Sequence, residues 1–156
     1  RKELGLDSNE KLVLFAGAFN NTVKNPELAK TAIALLPGTK LLELKGYSRE
    51  GVALLMNAVD AVLMTSFTEG SPQFIKEAMA CNCPIVSVPV GDVPEVIDNI
   101  DGCYLTTYNE NDIALDIMKA LKFNNRTDGR KKIVELGLDA ESVVIKILDI
   151  YLKCRN

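Results

Sequence analysis

Glu69 and Glu77, two carboxylates with seven residues between them, stand on either side of a predicted helix start near the middle of the 156-residue chain. Gly70 belongs to the polar turn before the helix, and we expect Ser71 to be the N-cap and Pro72 the first helical residue. Such a helix start directs free backbone N–H groups and the positive end of the helix dipole toward one point. The segment therefore predicts an anion-binding site beside two carboxylates.

Glu77 and Gln73 lie one turn apart on the face of this helix that is predicted to be exposed, with Glu77 near its apolar border. From there the Glu77 carboxylate could accept hydrogen bonds from a pair of ligand hydroxyl groups. Glu69, before the helix, is expected at the mouth of the crevice beside the anion. The spacing also allows a purely structural interpretation, in which Glu77 pairs with a lysine and Glu69 is a solvated turn residue.

Three loops follow predicted strands and are therefore expected at one edge of the sheet: 17–25, 66–72 and 89–94. Each contains a glycine, including Gly17 and Gly91. Convergent N–H donors at neighbouring strand ends are a common solution for binding phosphate. Tight turns alone also require small residues, and this explanation serves equally well for any single loop. Three such loops in one chain favour a binding site.

Apolar runs alternate with helical patterns along the whole chain. The runs predict strands, and apolar residues at helical spacing predict the helices between them. Asp92 and Glu95 have the spacing of a capping box for a short helix. The alternation predicts an α/β fold, a Rossmann-like parallel sheet of about five strands with helices on both faces, closing with C-terminal helices. The predicted strands are 12–16, 40–46, 61–65, 84–88 and 103–107.

The length of the chain predicts one domain. Its first ten residues are polar and contain glycine, so segment 1–10 is interpreted as a linker or interdomain segment and segment 11–156 as the domain itself.

The composition excludes several kinds of function. The net charge is −3 and the pI about 5.1, so no basic surface is expected to bind nucleic acid. Histidine is absent, which leaves any acid–base step to carboxylates, Lys, Tyr or Cys and removes a leading metal ligand. No signal peptide or transmembrane segment is predicted. The four cysteines favour a reduced, cytoplasmic setting, with redox or metal chemistry at Cys81 and Cys83 as the alternative.

The segment 57–97 resembles the donor-binding half of the family 4 retaining glycosyltransferases, which have the GT-B fold. The specific signal is the Glu-x7-Glu spacing of Glu69 and Glu77 followed by Ala-Met-Ala-Cys, with Gly-Asp-Val-Pro-Glu-Val-Ile beginning at Gly91. Gly17 followed by a loop with Lys24 is a weaker match. The resemblance extends from about Lys11 through the closing helix.

The resemblance implies transfer of a sugar from a nucleotide-diphosphate donor with retention of configuration, without a metal or another cofactor. On this basis Glu77 would bind the ribose hydroxyls, Glu69 would lie against the donor sugar near the reacting carbon, and Lys24 would neutralise the diphosphate. Glu69 and Lys24 are then the catalytic residues. The implied donor-binding residues are Gly17, Lys24, Gly70, Ser71, Pro72, Gln73, Glu77 and Gly91.

The sequence departs from the family pattern in two places. Ala18 stands where the family often has an arginine, so Lys24 would have to supply more of the positive charge that binds the diphosphate. Ser71-Pro72-Gln73 replaces the usual aromatic–glycine pair, which would alter the seating of the sugar. Two mechanisms remain open, attack on the front face of the donor sugar and a covalent glycosyl-enzyme through Glu69.

The resemblance also implies a second, N-terminal domain that binds a glycan or lipid-linked acceptor and through which any membrane association would occur. The process implied is surface glycan biosynthesis. This chain is then expected to bind a nucleotide weakly and to transfer little or nothing alone. The alternative, from a different class of function, is a non-catalytic nucleotide-binding or scaffold module with a degenerate donor site. An epimerase or a phosphorylase of the same fold fits less well, since the chain has no histidine and no identifiable cofactor-bearing lysine.

Overall fold

Five parallel strands form one sheet in the computed structural model, which describes residues 1–154. Their order across the sheet is β2-β1-β3-β4-β5, and every pairing is parallel. The predicted α/β fold with a five-stranded parallel sheet is confirmed. The strands are β1 (Lys11–Phe15), β2 (Thr39–Glu43), β3 (Ala61–Met64), β4 (Ile85–Ser87) and β5 (Cys103–Leu105).

Helices connect the strands and follow the last one. Two 3₁₀ turns, Lys2–Leu4 and Thr22–Lys24, precede β1 and the first helix. The helices are α1 (Pro26–Ala34), α2 (Arg49–Ala58), α3 (Gln73–Ala80), α4 (Val93–Val96), α5 (Glu110–Phe123), α6 (Gly129–Glu135) and α7 (Ala140–Lys153).

The sheet is covered on both faces, as predicted, because alternate residues of each strand point to opposite sides. Leu12 and Leu14 of β1 join a buried cluster with residues of α2, α3, α4 and α6. Val13 and Phe15 join a second cluster with residues of α1 and α5. Strands buried on both faces account for the continuous apolar runs in the sequence.

All five strands end at the same edge of the sheet. Phe15 at the end of β1 is level with Glu43 of β2 and Leu63 of β3, and Ser87 of β4 is level with Met64 and Leu105. The loops that follow β1, β3 and β4 are therefore neighbours, as the sequence predicted.

The first ten residues lie against the domain. The Arg1 guanidinium donates hydrogen bonds to the Ala58 carbonyl oxygen at 2.7 Å and to the Asp60 carboxylate at 2.8 Å. Leu4 and Leu6 pack against the α2–α3 side of the core. These contacts hold segment 1–10 at the amino-terminal edge of the sheet, opposite the candidate site.

The closing helix differs from its neighbours in burial. Its apolar residues have helical spacing, yet none of the residues of α7 is buried. Ile145, Leu148 and Leu152 are each more than half exposed. The pattern that predicted a helix is confirmed, but the apolar stripe contributes nothing to the core.

Candidate functional site

Lys24 and Glu69 form an ion pair at the carboxyl edge of the sheet. Lys24 Nζ lies 2.5 Å from Glu69 Oε1, and the two side chains are 24% and 17% exposed. Partial burial reduces solvent screening, so this pair interacts more strongly than a pair on the open surface. Glu69 is therefore not a solvated turn residue. The structure brings together the two residues to which the resemblance gave catalytic roles.

Contacts with residues at the ends of β1 and β3 fix the position of Lys24. The buried Thr65 hydroxyl donates to the carbonyl oxygens of Lys24 and Asn25, each at 2.9 Å. A Cβ at Gly17 would lie 3.0 Å from Lys24 Cγ, so the glycine makes room for the lysine side chain. Gly17 thus acts as a packing partner of Lys24. The role of Thr65 was not predicted from the sequence, because its hydrogen-bond partners lie about forty residues away. Its position directly after a strand was the only local indication of that role.

Gly70 and Gly91 hold the second and third loops together. The Asp92 N–H donates to the Gly70 carbonyl oxygen at 3.0 Å. Gly91 has φ +58°, and a Cβ there would collide with the Gly70 carbonyl oxygen and lie 2.8 Å from that of Glu69. Only glycine tolerates both the left-handed backbone and this close approach. The Glu69 loop therefore rests directly on the Gly91 turn.

The two predicted helix caps are wrong in detail. Pro72, not Ser71, is the N-cap of α3, and no side chain caps this helix. Asp92 is the N-cap of α4 as predicted, but its carboxylate makes no cap hydrogen bond and no capping box with Glu95 forms. Instead Ser71 Oγ donates to Asp92 Oδ2 at 2.6 Å, and Lys76 Nζ pairs with the same oxygen at 3.1 Å and contacts Ser71 Oγ. A partly buried cation draws both side chains away from the helix ends.

The cluster of Ser71, Asp92 and Lys76 also changes the pKa of the Asp92 carboxyl. Burial alone would raise the pKa of the Asp92 carboxyl, but the hydrogen bonds from Ser71 and Lys76 and the charge of Lys76 outweigh it and lower that pKa. Lys76 was not singled out in the sequence. Its signal was a charged residue between the apolar positions Ile75 and Ala78.

The start of α3 has no side-chain cap. Proline is the N-cap and makes no side-chain hydrogen bond to the first turn. By helix geometry the N–H groups of Gln73 and Phe74 have no partner inside the helix. These donors, with the Gly70 and Ser71 segment, lie beside the loop that carries Glu69. The predicted helix start is present, one residue later than expected, and anion binding at it stays a prediction.

Gln73 and Glu77 lie on the exposed face of α3, away from the ion pair. They line a cavity of about 460 Å³ together with α2 residues and Arg130 of α6. Among residues 1–154 no ion pair involves Glu77, so its predicted alternative pairing with a lysine is not formed. Glu69 does not line this cavity. Glu69 and Glu77 bracket the start of α3, with the carboxylate of Glu77 left free.

Cys81, Cys83 and Cys103 have the character of structural residues, whereas Cys154 is exposed. Burial raises the pKa of Cys83 and of Cys103 to about 12, and the pKa of Cys81 is also raised, mainly by burial. A raised pKa suppresses the reactive thiolate. Within residues 1–154, no group of three or more His, Cys, Asp or Glu side chains could hold a metal ion. Over the same residues, the helices are too short or too polar to cross a bilayer.

Comparison with known proteins identifies a family for most of the chain. A family model described as glycosyl transferases group 1 matches residues 12–122. This range begins at β1, ends in α5 and includes all the predicted site residues.

Several curated relatives have the same name. The D-inositol 3-phosphate glycosyltransferases of Mycobacterium marinum and Mycobacteroides abscessus are 26% and 28% identical over 160 and 145 residues. The matches cover 83% and 73% of this chain but only 34% and 32% of the relatives. The chain therefore spans about a third of the length of these relatives.

Solved structures share the fold. Sucrose-phosphate synthase from Thermosynechococcus elongatus superposes with a TM-score of 0.84 at 20% identity, over 99% of this chain and 48% of that one. HepE from Anabaena, solved in complex with UDP and glucose, gives a TM-score of 0.70 at 19% identity, over 98% and 51%. At these identities the likeness establishes the fold alone.

Proposed function

The chain belongs to the group 1 glycosyltransferases, and we propose that it is the domain of such an enzyme that binds the nucleoside diphosphate sugar. The observation that carries the proposal is the Lys24–Glu69 ion pair beside an uncapped helix start. This arrangement offers a cation and free N–H donors for a diphosphate, with one carboxylate next to them. The complex of HepE with UDP and glucose supports UDP as the nucleotide to test first.

The proposed donor lies across the start of α3. Its ribose hydroxyls bind the free carboxylate of Glu77, and its diphosphate lies over Gly70, Ser71 and the first turn of the helix. Lys24 exchanges Glu69 for the diphosphate and stabilises the negative charge that develops on the leaving group, which is where stabilisation accelerates the reaction. Glu69 is then left beside the donor sugar, as an electrostatic partner of the reacting carbon or as a nucleophile.

The main binding site of the acceptor is proposed to lie in a part of the enzyme beyond this domain, since the chain spans about a third of its relatives. We therefore expect nucleotide binding without appreciable transfer from the isolated chain. A role in surface glycan biosynthesis, with a glycan or lipid-linked acceptor, is part of the proposal.

The test is calorimetric titration of the chain with UDP and GDP at millimolar concentration. We expect Lys24→Met to weaken nucleotide binding by about tenfold or more, because a charge-assisted contact to the diphosphate is lost. The matched control is Lys30→Met, which removes a lysine from the exposed pair with Glu27 on α1. Absence of heat with every nucleotide would contradict the proposal.

A non-catalytic nucleotide-binding module is the second candidate, and Ala18 favours it, because the expected second cation at the end of β1 is missing. The two functions separate in the full-length protein. An enzyme should lose orders of magnitude in transfer rate on Glu69→Gln, whereas a scaffold should be unaffected.

A further inference from the structure

Phe67 and Tyr108 form an exposed aromatic pair at the carboxyl edge of the sheet, outside the site described above. Their ring centroids are 6.1 Å apart and the ring planes differ by 12°. Phe67 is 62% exposed and Tyr108 is 46% exposed. Large apolar rings left in water have no stabilising role in the core, so a stacked and exposed pair points to a ligand.

Hydrogen bonds hold the Tyr108 ring and the Phe67 backbone in place. The Tyr108 hydroxyl donates to the Ser66 carbonyl oxygen at 2.8 Å, which ties the β5–α5 loop to the end of β3. The Phe67 N–H donates to the Val23 carbonyl oxygen at 2.9 Å. A surface that is already ordered loses little conformational entropy when it binds a ligand.

The aromatic pair borders a cavity of mixed character. Asn25 and Leu28 line it together with the two rings, and its volume is about 550 Å³. Apolar faces beside an amide suit a sugar ring, which presents C–H groups on its faces and hydroxyl groups around its rim. The volume lies within the usual range for small-molecule sites.

The position of this cavity indicates which sugar it would hold. Leu28 belongs to α1 and packs on the α1–α5 face, whereas the cavity at Glu77 is lined by α2 and α6 on the opposite face. Phe67 lies two residues before Glu69 and donates its N–H to the Val23 carbonyl oxygen in the Lys24 turn, so the aromatic pair adjoins the Lys24–Glu69 ion pair. A donor that extends from Glu77 to Glu69 would leave the aromatic pair beyond its sugar.

We propose that Phe67 and Tyr108 form a stacking platform for a pyranose ring of the acceptor, next to the reacting end of the donor. This assignment rests on the proposed function for its distinction between donor and acceptor. The platform itself is a pyranose-binding subsite that is separate from the nucleotide site.

The test is saturation-transfer difference NMR of the 156-residue chain with maltotriose, cellotriose and N,N′-diacetylchitobiose, with and without saturating UDP. We expect saturation of the ring C–H protons of at least one sugar, unchanged by UDP. Phe67→Ala and Tyr108→Ala should each weaken this binding about three- to tenfold, the effect of losing one aromatic stacking contact. Tyr108→Phe keeps the ring and should retain most of the binding.

Tyr151→Ala is the control, since Tyr151 is an equally exposed aromatic residue on α7, which does not line this cavity. No saturation with any of the three sugars would overturn the platform, whatever the UDP titration gives. Displacement of the sugar by UDP, or loss of UDP binding in Phe67→Ala, would overturn it by assigning the rings to the nucleotide. Sugar binding without any UDP binding would preserve the pyranose subsite and refute the proposed function instead.

Self-association that is lost in Phe67→Ala would also overturn the proposal, because the pair would then be an interface between copies of the chain. Sedimentation of the same samples detects this outcome. Both rings are exposed, so the alanine variants are expected to fold, and circular dichroism checks that they do.

Discussion

The Lys24–Glu69 pair sets the electrostatics of the candidate site. In the free chain the lysine charge is already neutralised at 2.5 Å by a carboxylate that is 17% exposed. A diphosphate must therefore compete with Glu69 for Lys24. The same carboxylate also repels the anion that is to bind. Glu69 is therefore expected to oppose the proposed nucleotide binding, whereas the proposed transfer reaction requires it.

Replacement of Glu69 by glutamine separates these two effects. We expect Glu69→Gln to bind UDP several-fold more tightly in calorimetry, because Lys24 is released and one negative charge is removed. Glu27→Gln, which breaks an exposed pair with Lys30, should leave UDP affinity unchanged. Weaker UDP binding by Glu69→Gln would show that Glu69 supports the nucleotide rather than opposing it.

Asp92 makes the stability of the chain depend on pH in the acid range. Its folded-state pKa is lowered, so its stabilising contacts with Ser71 and Lys76 are present above the unfolded pKa of about 3.8 and are lost as pH falls through the folded pKa. We expect Asp92→Asn to reduce the free energy of unfolding in urea at pH 7 by about 1 kcal/mol. The difference from the unmodified chain should shrink at pH 3.

The exposed carboxylate of Asp98 provides the comparison for this experiment. Asp98→Asn should change the free energy of unfolding little at either pH. An Asp92→Asn deficit that is equally large at pH 3 and pH 7 would contradict the role of the ionised carboxylate.

At the scale of elements, the site depends on how closely the loops after β3 and β4 approach each other. The start of α3 has no side-chain cap, and the loop before it is supported instead by the Gly91 turn and the Ser71–Asp92–Lys76 cluster. An uncapped helix start costs stability but leaves N–H donors available. Contacts from the loop after β4 hold the start of α3 in place without capping it.

Gly91→Ala tests that support. The alanine would have to adopt φ +58° and collide with the Gly70 carbonyl oxygen, so the two loops must separate. We expect a loss of about 2 kcal/mol or more in the free energy of unfolding and weaker UDP binding in calorimetry.

Gly46→Ala is the matched control for Gly91→Ala. Gly46 has φ +78° with nothing within 4 Å of a Cβ, so alanine there has only the backbone cost of about 1 kcal/mol. Equal effects of the two substitutions would mean that the contact between the loops does not matter.

At the scale of the whole molecule, α7 buries none of its residues against the rest of the domain. Its 14 residues include none that is buried, although its apolar stripe is continuous. An exposed apolar surface of this kind favours association. The stability of the domain must therefore come from the two clusters around the sheet.

Substitutions on α7 separate association from folding. We expect simultaneous replacement of Ile145, Leu148 and Leu152 by glutamine to change the melting temperature by no more than about 2 °C, since none of the three is buried. The triple variant should also sediment as a monomer at concentrations where the unmodified chain associates. In contrast, Ile117→Gln in the buried face of α5 should destabilise the chain strongly. A large fall in melting temperature for the α7 variant would show that the helix packs on the domain.

Local sequence patterns determined most of the fold. Continuous apolar runs specified strands buried on both faces, and Ser48, a residue type favoured at N-caps, caps α2 directly before its apolar repeat. These features depend on neighbours within a few residues, so they can be read along the chain. The glycines after β1, β3 and β4 likewise indicated the edge where a ligand would bind.

The tertiary structure alone decided which side chains meet at that edge. Lys24 pairs with Glu69 because β1 and β3 are adjacent in the sheet, although the two residues are 45 positions apart. Ser71 and Asp92 were predicted as local caps, but packing brings Lys76 between them, and a partly buried charge binds both more strongly than a helix end does. The α7 stripe is apolar in the sequence, yet only the tertiary structure shows that the core is complete without it. Contacts between distant residues depend on the order of the strands and on how the loops pack, and neither is encoded in local spacing.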